Sequence, residues 1–148
     1  MRSRLAARAL AAALLISALG AAPVPAARAE AVRCADAYQI GRTAHLVWDG
    51  RIAFSVKQFY SPRCHARYGY AHAWQQFRRL KIHYELGLAV FDATKDAIDG
   101  ARTYLGAGGG PDFWSAPVRV APGTCTAGLV HAFLPGTESD AFSGRICG

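Results

Sequence analysis

The chain contains no asparagine, which removes every N-linked glycan acceptor and any asparagine-dependent catalytic arrangement. Gly-x-Ser-x-Gly and His-Glu-x-x-His are also missing. Neither the strained nucleophile turn of α/β-hydrolases nor the helical zinc-protease motif is therefore encoded. The glycines at 108–110 are not followed by Lys-Ser/Thr, so they read as a flexible loop tip within 106–111 and not as a phosphate loop. No two cysteines are spaced Cys-x-x-Cys, and Cys/His pairs at finger-like spacing do not occur. This argues against a dithiol redox centre and against a metal site. What remains is a chain of 148 residues, 52% hydrophobic and 18% charged, enough for one globular domain and too short for two.

The first residues form a unit of their own. Arg2, Arg4 and Arg8 precede an apolar run at 9–22, and Ala27-Arg28-Ala29 supplies small residues two apart before Glu30. A charged start, a short apolar middle and a small-x-small end make a secretory signal peptide, with cleavage expected after Ala29. The apolar run is shorter than the ~20 residues that span a bilayer, and Pro23 and Pro25 follow it. The expected mature part, residues 30–148, is a single exported domain with no membrane span, in a secreted or extracellular setting. Of the formal charge of +7, four arginines belong to the leader; without them thirteen basic residues face ten acidic ones, a net of +3. The strongly basic balance is mostly a targeting feature.

Cys34, Cys64, Cys125 and Cys147 all lie in the mature part. An even count in an oxidising compartment favours disulfides. Three pairings are open; Cys34 with Cys64 and Cys125 with Cys147 is preferred, because each pair brackets a short piece of strand and turn.

Asp49-Gly50 separates two runs rich in β-branched and aromatic residues, 43–48 and 51–60, and predicts a β-hairpin. With Trp48 opposite Arg51, Val47, Ile52, Phe54, Val56 and His45 share one face, which is expected to be buried. Ser61-Pro62 ends the second strand. Over 66–80 the residues Ala66, Tyr70, Ala73, Trp74 and Phe77 recur at intervals of three and four and predict a short helix, with the aromatics as core more than as stacking platform. Strict alternation over 80–90 predicts a strand. Residues 92–105, with Asp99-Gly100 as a turn signal, are compatible with either a helical turn or a hairpin. Further strands are expected at 116–121 and 124–133, with a short apolar piece at 145–147. The sum is a mainly β, single antiparallel domain, a small barrel or sandwich with one short helix, braced by disulfides.

Cys34-Ala35-Asp36-Ala37, a first strand, and a second strand closing in Tyr60-Ser61-Pro62-Arg63-Cys64-His65-Ala66 resemble the YjfA-type domain of unknown function, a family of small exported bacterial proteins. Residues 34–74 carry the likeness, and Arg145-Ile146-Cys147 resembles the family's closing cysteine. The resemblance implies export and a disulfide-braced β domain, and carries no assigned activity.

Residues 63–81 contain Arg63, Arg67, Arg78, Arg79 and Lys81, interleaved with His65, His72, Tyr68, Tyr70 and Trp74, and no acidic residue. Across 33–81 nine basic residues face two acidic ones, whereas 82–148 holds four against seven. Cations among aromatics hold anionic polymers through charge and ring stacking. Arg63, Arg67, Tyr68, Arg78, Arg79 and Lys81 are therefore candidate contacts for an anionic or sugar-rich ligand, such as a wall polyanion or acidic polysaccharide at the cell surface; nucleic acid is the less favoured partner. The competing interpretation is a merely solvated basic face. His83 and Glu85, about 6.7 Å apart on one strand face, are the best residues for an alternative, a small secreted hydrolase. A third alternative is an inhibitor or partner of another exported protein. His45 and His131 read as core histidines with satisfied partners. No catalytic residue, metal ligand or cofactor is assigned.

Overall fold

The computed structural model describes residues 33–106 and 110–148; the leader read at 1–29 and most of the glycine loop tip lie outside the described residues. Strands β1 (Tyr38–Trp48) and β2 (Arg51–Ser61) form the expected hairpin, Trp48 opposite Arg51. Asp49 and Gly50 both take positive φ, 48° and 69°, as the tight turn demands.

The facing of that hairpin differs from expectation. Register moves from Val47 opposite Ile52 to Leu46 opposite Phe54, so Ala53 is an extra residue in β2. Such a bulge exchanges inside for outside on the strand beyond it. Leu46, Phe54 and Val56 therefore point into the core, Val47 is 56% exposed, and His45 stands outside, opposite Ser55. His45 is not a core histidine.

The helix expected over 66–80 is instead strand β3 (Ala66–Ala73) followed by a single turn, α1 (Gln75–Arg78). β3 runs between two neighbours; its first four residues, 66–69, are all buried, and only beyond them does burial alternate, with Ala71 and Ala73 inside and Tyr70 and His72 on the outer face. Where the start of the strand is buried on both sides its period of two is hidden, and the apolar positions that remain imitate a helix.

The alternating run opens as strand only at β4 (Tyr84–Asp92), and β5 (Ala97–Gly106) completes a hairpin with it, which settles residues 92–105. The turn lies at 93–96, where Asp92 Oδ1 accepts the main-chain N–H groups of Thr94 and Lys95 at 2.9 and 3.1 Å. Asp99-Gly100 is not a turn; it sits inside β5 where the register with β4 shifts. Short β6 (Asp112–Trp114) was not foreseen. The strand expected at 116–121 is reduced to one bridge between Val118 and Arg67, next to Pro117, which has no N–H to give. β7 (Cys125–Leu134), β8 (Thr137–Phe142) and the two-residue β9 (Ile146–Cys147) end the chain.

The strands make two open antiparallel sheets, β1-β2-β3-β6 and β5-β4-β7-β8, with β9 continuing the β8 edge of β7. Of the two architectures expected, this is the sandwich. Leu46, Phe54, Val56, Leu86, Leu88, Phe113 and Val130 fill the space between the sheets, and Phe77 of α1 closes one end against Phe54, 5.1 Å between ring centroids. Gly69 of β3 lies on the carbonyl of Ala89, and Gly128 of β7 on the carbonyl of Lys57. No side chain fits at either contact, so these glycines let the two backbones touch. The disulfides are Cys34–Cys64 and Cys125–Cys147, the preferred pairing. Each braces one sheet: the first ties the lead-in to β1 to the β2–β3 turn, the second joins directly opposed residues of β7 and β9. No helix among the described residues is long and apolar enough to cross a membrane.

Candidate ligand-binding face

The register of the first sheet lays its outward side chains on a grid. One row reads His45, Ser55, His72, Asp112 across β1, β2, β3 and β6; the next reads Lys57, Tyr70, Trp114; a third pairs Phe59 with Tyr68. Phe59, Tyr70 and Trp114 form a cluster, with centroid separations of 5.3 Å (Phe59–Tyr70), 4.9 Å (Phe59–Trp114) and 4.5 Å (Tyr70–Trp114), and the rings meet edge-on or tilted. These are favourable aromatic geometries. Arg33 carries its guanidinium carbon 4.4 Å above the Trp114 ring, a cation–π contact, and Lys57 lies beside Tyr70 in register.

Asp112 organises the polar margin of this cluster. Its Oδ1 accepts the Tyr70 hydroxyl at 2.5 Å and faces His72 Nδ1 at 2.8 Å. Partial burial works to raise the Asp112 carboxyl, but the bonds from Tyr70 and His72 and the charges of His72 and Arg78 outweigh it and hold the group below its ordinary value. Asp112 is thus an anion at neutral pH. A carboxylate only accepts, so His72 Nδ1 carries the proton and Nε2 is left for other partners. Burial and the Asp112 anion together push the Tyr70 hydroxyl well above the usual phenol range.

The candidate contacts at 63–81 do not form one patch. Arg63 is exposed in the β2–β3 turn, its main-chain N–H on Asp36 Oδ2 at 2.9 Å. Arg78, Arg79 and Lys81 are exposed at the other end of β3, whose eight residues span roughly 26 Å at strand rise. Arg67 turns inward between the sheets and is 5% exposed; Tyr68 is 1% exposed and accepts the Cys34 N–H through its hydroxyl. Neither can meet a polymer on the outer face. Arg78 does join the cluster electrostatically, through its effect on Asp112. Sequence reasoning missed Arg33, Lys57, Phe59, Asp112 and Trp114 as members of one surface. Lys57 and Phe59 alternate within a strand that was recognised; Asp112 and Trp114 come from a three-residue strand that carries no periodicity.

His83 precedes β4 and Glu85 lies on it; both line a cleft of about 510 Å³ with Leu105 and Phe133, and no hydrogen bond joins them. His131 is not in the core. It lies on the outer face of the second sheet, with Nδ1 2.5 Å from Asp140 and Nε2 3.2 Å from Glu138. Among the described residues, no group of three His, Cys, Asp or Glu could hold a metal ion.

No protein-family model matches the chain, and no curated protein or solved structure matches it.

Proposed function

We propose that this protein is an exported, non-enzymatic binding module that holds an anionic, sugar-rich polymer of the cell surface on the outer face of its first sheet. The observation that carries this reading is the cluster of Phe59, Tyr70 and Trp114 framed by Arg33, Lys57, His72 and Asp112. Aromatic rings offer apolar area for the flat faces of sugar rings, a carboxylate and an imidazole offer directional partners for hydroxyls, and the flanking cations answer acidic substituents. Two disulfides and a leader-like N-terminal sequence support export, since bridges of this kind persist in oxidising compartments. The likeness of residues 34–74 to the YjfA-type domain supports the same setting.

A catalytic reading has a better anchor in His72 and Asp112 than in His83 and Glu85, because His72 is oriented by a carboxylate in the manner of a general base. Yet the hydroxyl facing His72 in register, Ser55, is buried and accepts the indole N–H of Trp74 at 2.8 Å. Among the described residues, the hydroxyl opposite His72 is thus buried and already bonded, which favours binding over catalysis. The test is retention of the oxidised protein on an immobilised acidic polysaccharide. Trp114→Ala and Lys57→Glu should each release it at lower salt, and Arg63→Ala should not. Retention that ignores both Trp114→Ala and added salt would overturn the proposal.

A further inference from the structure

The outer face of the second sheet is laid out in rows, as that of the first is. One row reads Leu105, Glu85, Phe133, Glu138 across β5, β4, β7 and β8; the next reads Thr103, Gly87, His131, Asp140. Phe142 stands farther along the strands and meets Phe91 at 5.2 Å between ring centroids. Leu105 is 83% exposed, Phe133 and Phe142 45% each. Exposed apolar area of this kind, rimmed by charge, marks a docking surface. Arg145 lies beside Phe91 and Phe142, at the other end of the face from Glu85 and Glu138.

Sign and spacing indicate the occupant. Glu85 and Glu138 stand on either side of Phe133, two strand spacings or about 10 Å apart. The first sheet carries the same arrangement with the opposite charge. In its row Lys57, Tyr70, Trp114, the ammonium group belongs to β2 and the Arg33 guanidinium lies over the Trp114 ring on β6, again two strands apart with Tyr70 between. Among the described residues, the side chains of Lys57 and Glu85 have no hydrogen bond or ion pair within their own molecule. The Glu138 carboxylate meets only His131, at 3.2 Å, and is 60% exposed. Asp112, the acid of the first face, is already answered by Tyr70 and His72. Two sheets packed face to face interdigitate their side chains at about 10 Å. Between these two faces, that sets rings against rings and cations against carboxylates.

We infer that copies of this protein stack head to tail: the outer face of the second sheet of one copy docks on the outer face of the first sheet of the next, with Phe133 against Tyr70 and Trp114 and with Glu85 and Glu138 against Lys57 and Arg33. Like faces do not pair, since two second sheets set carboxylate against carboxylate and two first sheets set cation against cation. The contact is therefore heterologous. Its two halves lie on opposite sides of one sandwich, so the stack stays open to further copies. This inference goes beyond the polymer reading and does not rest on it; polymer and neighbouring copy compete for the first face.

The experiment is sedimentation velocity of the oxidised protein over roughly a hundredfold range of concentration, up to about 0.5 mM. At low salt the average mass should rise at least about twofold across the range, and in about 0.5 M sodium chloride it should return to that of the monomer. Lys57→Glu, which spoils the first face, and Phe133→Ala, which truncates the second, should each stay monomeric. Mixed in equal amounts, the two variants should form a dimer that grows no further, because each supplies the face that the other lacks. If Phe133→Ala does not fold, Glu85→Lys, at an exposed position, must stay monomeric instead. A parent that is monomeric throughout, association that ignores salt, a variant that associates like the parent, or a mixture that stays monomeric would overturn the inference. Retention of Phe133→Ala on acidic polysaccharide, measured in dilute protein, should match the parent. Self-association without retention removes the polymer reading and leaves the stack; retention without self-association does the reverse.

Discussion

The two sheets of this sandwich share one core and differ in almost everything outside it. The strands of the first carry Arg42, Arg51, Lys57 and Arg67 against the single acid Asp112; those of the second carry Glu85, Asp92, Asp99, Glu138 and Asp140 against the single base Arg102. The charge asymmetry along the sequence is therefore an asymmetry between layers, because the first sheet is drawn mainly from one half of the chain. Their outer faces follow suit. One gathers Phe59, Tyr70 and Trp114 around cations; the other exposes Leu105, Phe133 and Phe142 among carboxylates. Each layer also keeps its own disulfide. The face proposed for a ligand and the Cys34–Cys64 bridge belong to the same layer, so the proposed binding and the stability can be perturbed sheet by sheet.

The largest perturbation should come where the sheets touch. A methyl group added at Gly69 would strike the Ala89 carbonyl, and one at Gly128 the Lys57 carbonyl, and backbone cannot swing aside as a long side chain does. Gly69→Ala and Gly128→Ala should each cost about 3 kcal/mol or more in chemical denaturation, at the upper end of overpacking effects. The two contacts are reciprocal, one glycine from each layer, so their costs should be similar; a neutral result at either would mean that the layers can slide apart there.

The disulfides should come next and should be nearly equal. Their sequence separations are 30 and 22 residues. Loop entropy on that scale gives roughly 3 kcal/mol for each bridge. Replacing each pair by serines and comparing midpoints of denaturation checks this. The two losses should add, because the bridges lie in different sheets. A loss confined to one pair would show that one layer is held by packing alone.

Reversing charge on one face at a time tests the functional side of the comparison. Lys57→Glu with Arg78→Glu should weaken polymer binding by at least about tenfold and flatten its salt dependence, whereas Glu85→Lys with Glu138→Lys should change affinity less than about twofold. A larger effect from the second pair would move the binding face to the other layer.

How much of this was legible beforehand follows from which signals are local. Asp49-Gly50 announces its hairpin because a two-residue turn is written in two residues, and four cysteines with no metal spacing announce two bridges. The mainly β, antiparallel class followed from the short strands, whereas the choice of sandwich over barrel did not. What escaped depended on partners. The bulge at Ala53 that turns His45 outward is a property of the pairing between β1 and β2, not of either strand. The helical spacing over 66–80 misled because the first half of β3 is buried on both sides, which hides the alternation of a strand. The proposed binding face escaped because it too depends on pairing: Asp112 and Trp114 meet Tyr70 and His72 only when β6, forty residues away, docks beside β3. Arg67 read as an exposed cation because nothing in its neighbours along the chain says that it will cross to Thr126.

The smallest effect expected is in acid, and it again divides the layers. Asp112 and Asp36 serve the first sheet and Asp92 the second, and all three carboxyls lie below their ordinary value of 3.8 in the fold. The causes differ. The Ser61 hydroxyl and the Arg63 N–H lower Asp36; for Asp92 and Asp112 burial pushes upward and is outweighed by hydrogen bonds from Lys95 and Thr94 in one case, from Tyr70 and His72 in the other. A group whose folded value is depressed contributes stability that is complete above its unfolded value and disappears as pH falls through the folded one. Stability from these groups should hold from neutral pH to about 4.5 and fall below it. The Asp112 side chain is 50% exposed, so solvent screening keeps its share to about 1 kcal/mol or less. Thermal unfolding of Asp112→Asn against the parent, from pH 7 down into acid, isolates that share: the variant should be less stable at pH 7, and the gap should narrow once pH falls below the ordinary value of 3.8 and close only as it falls through the lower folded value. A gap that survives acid would mean that Asp112 holds β6 to β3 by packing and neutral hydrogen bonds, and that the anion on the first sheet exists for the ligand and not for the fold.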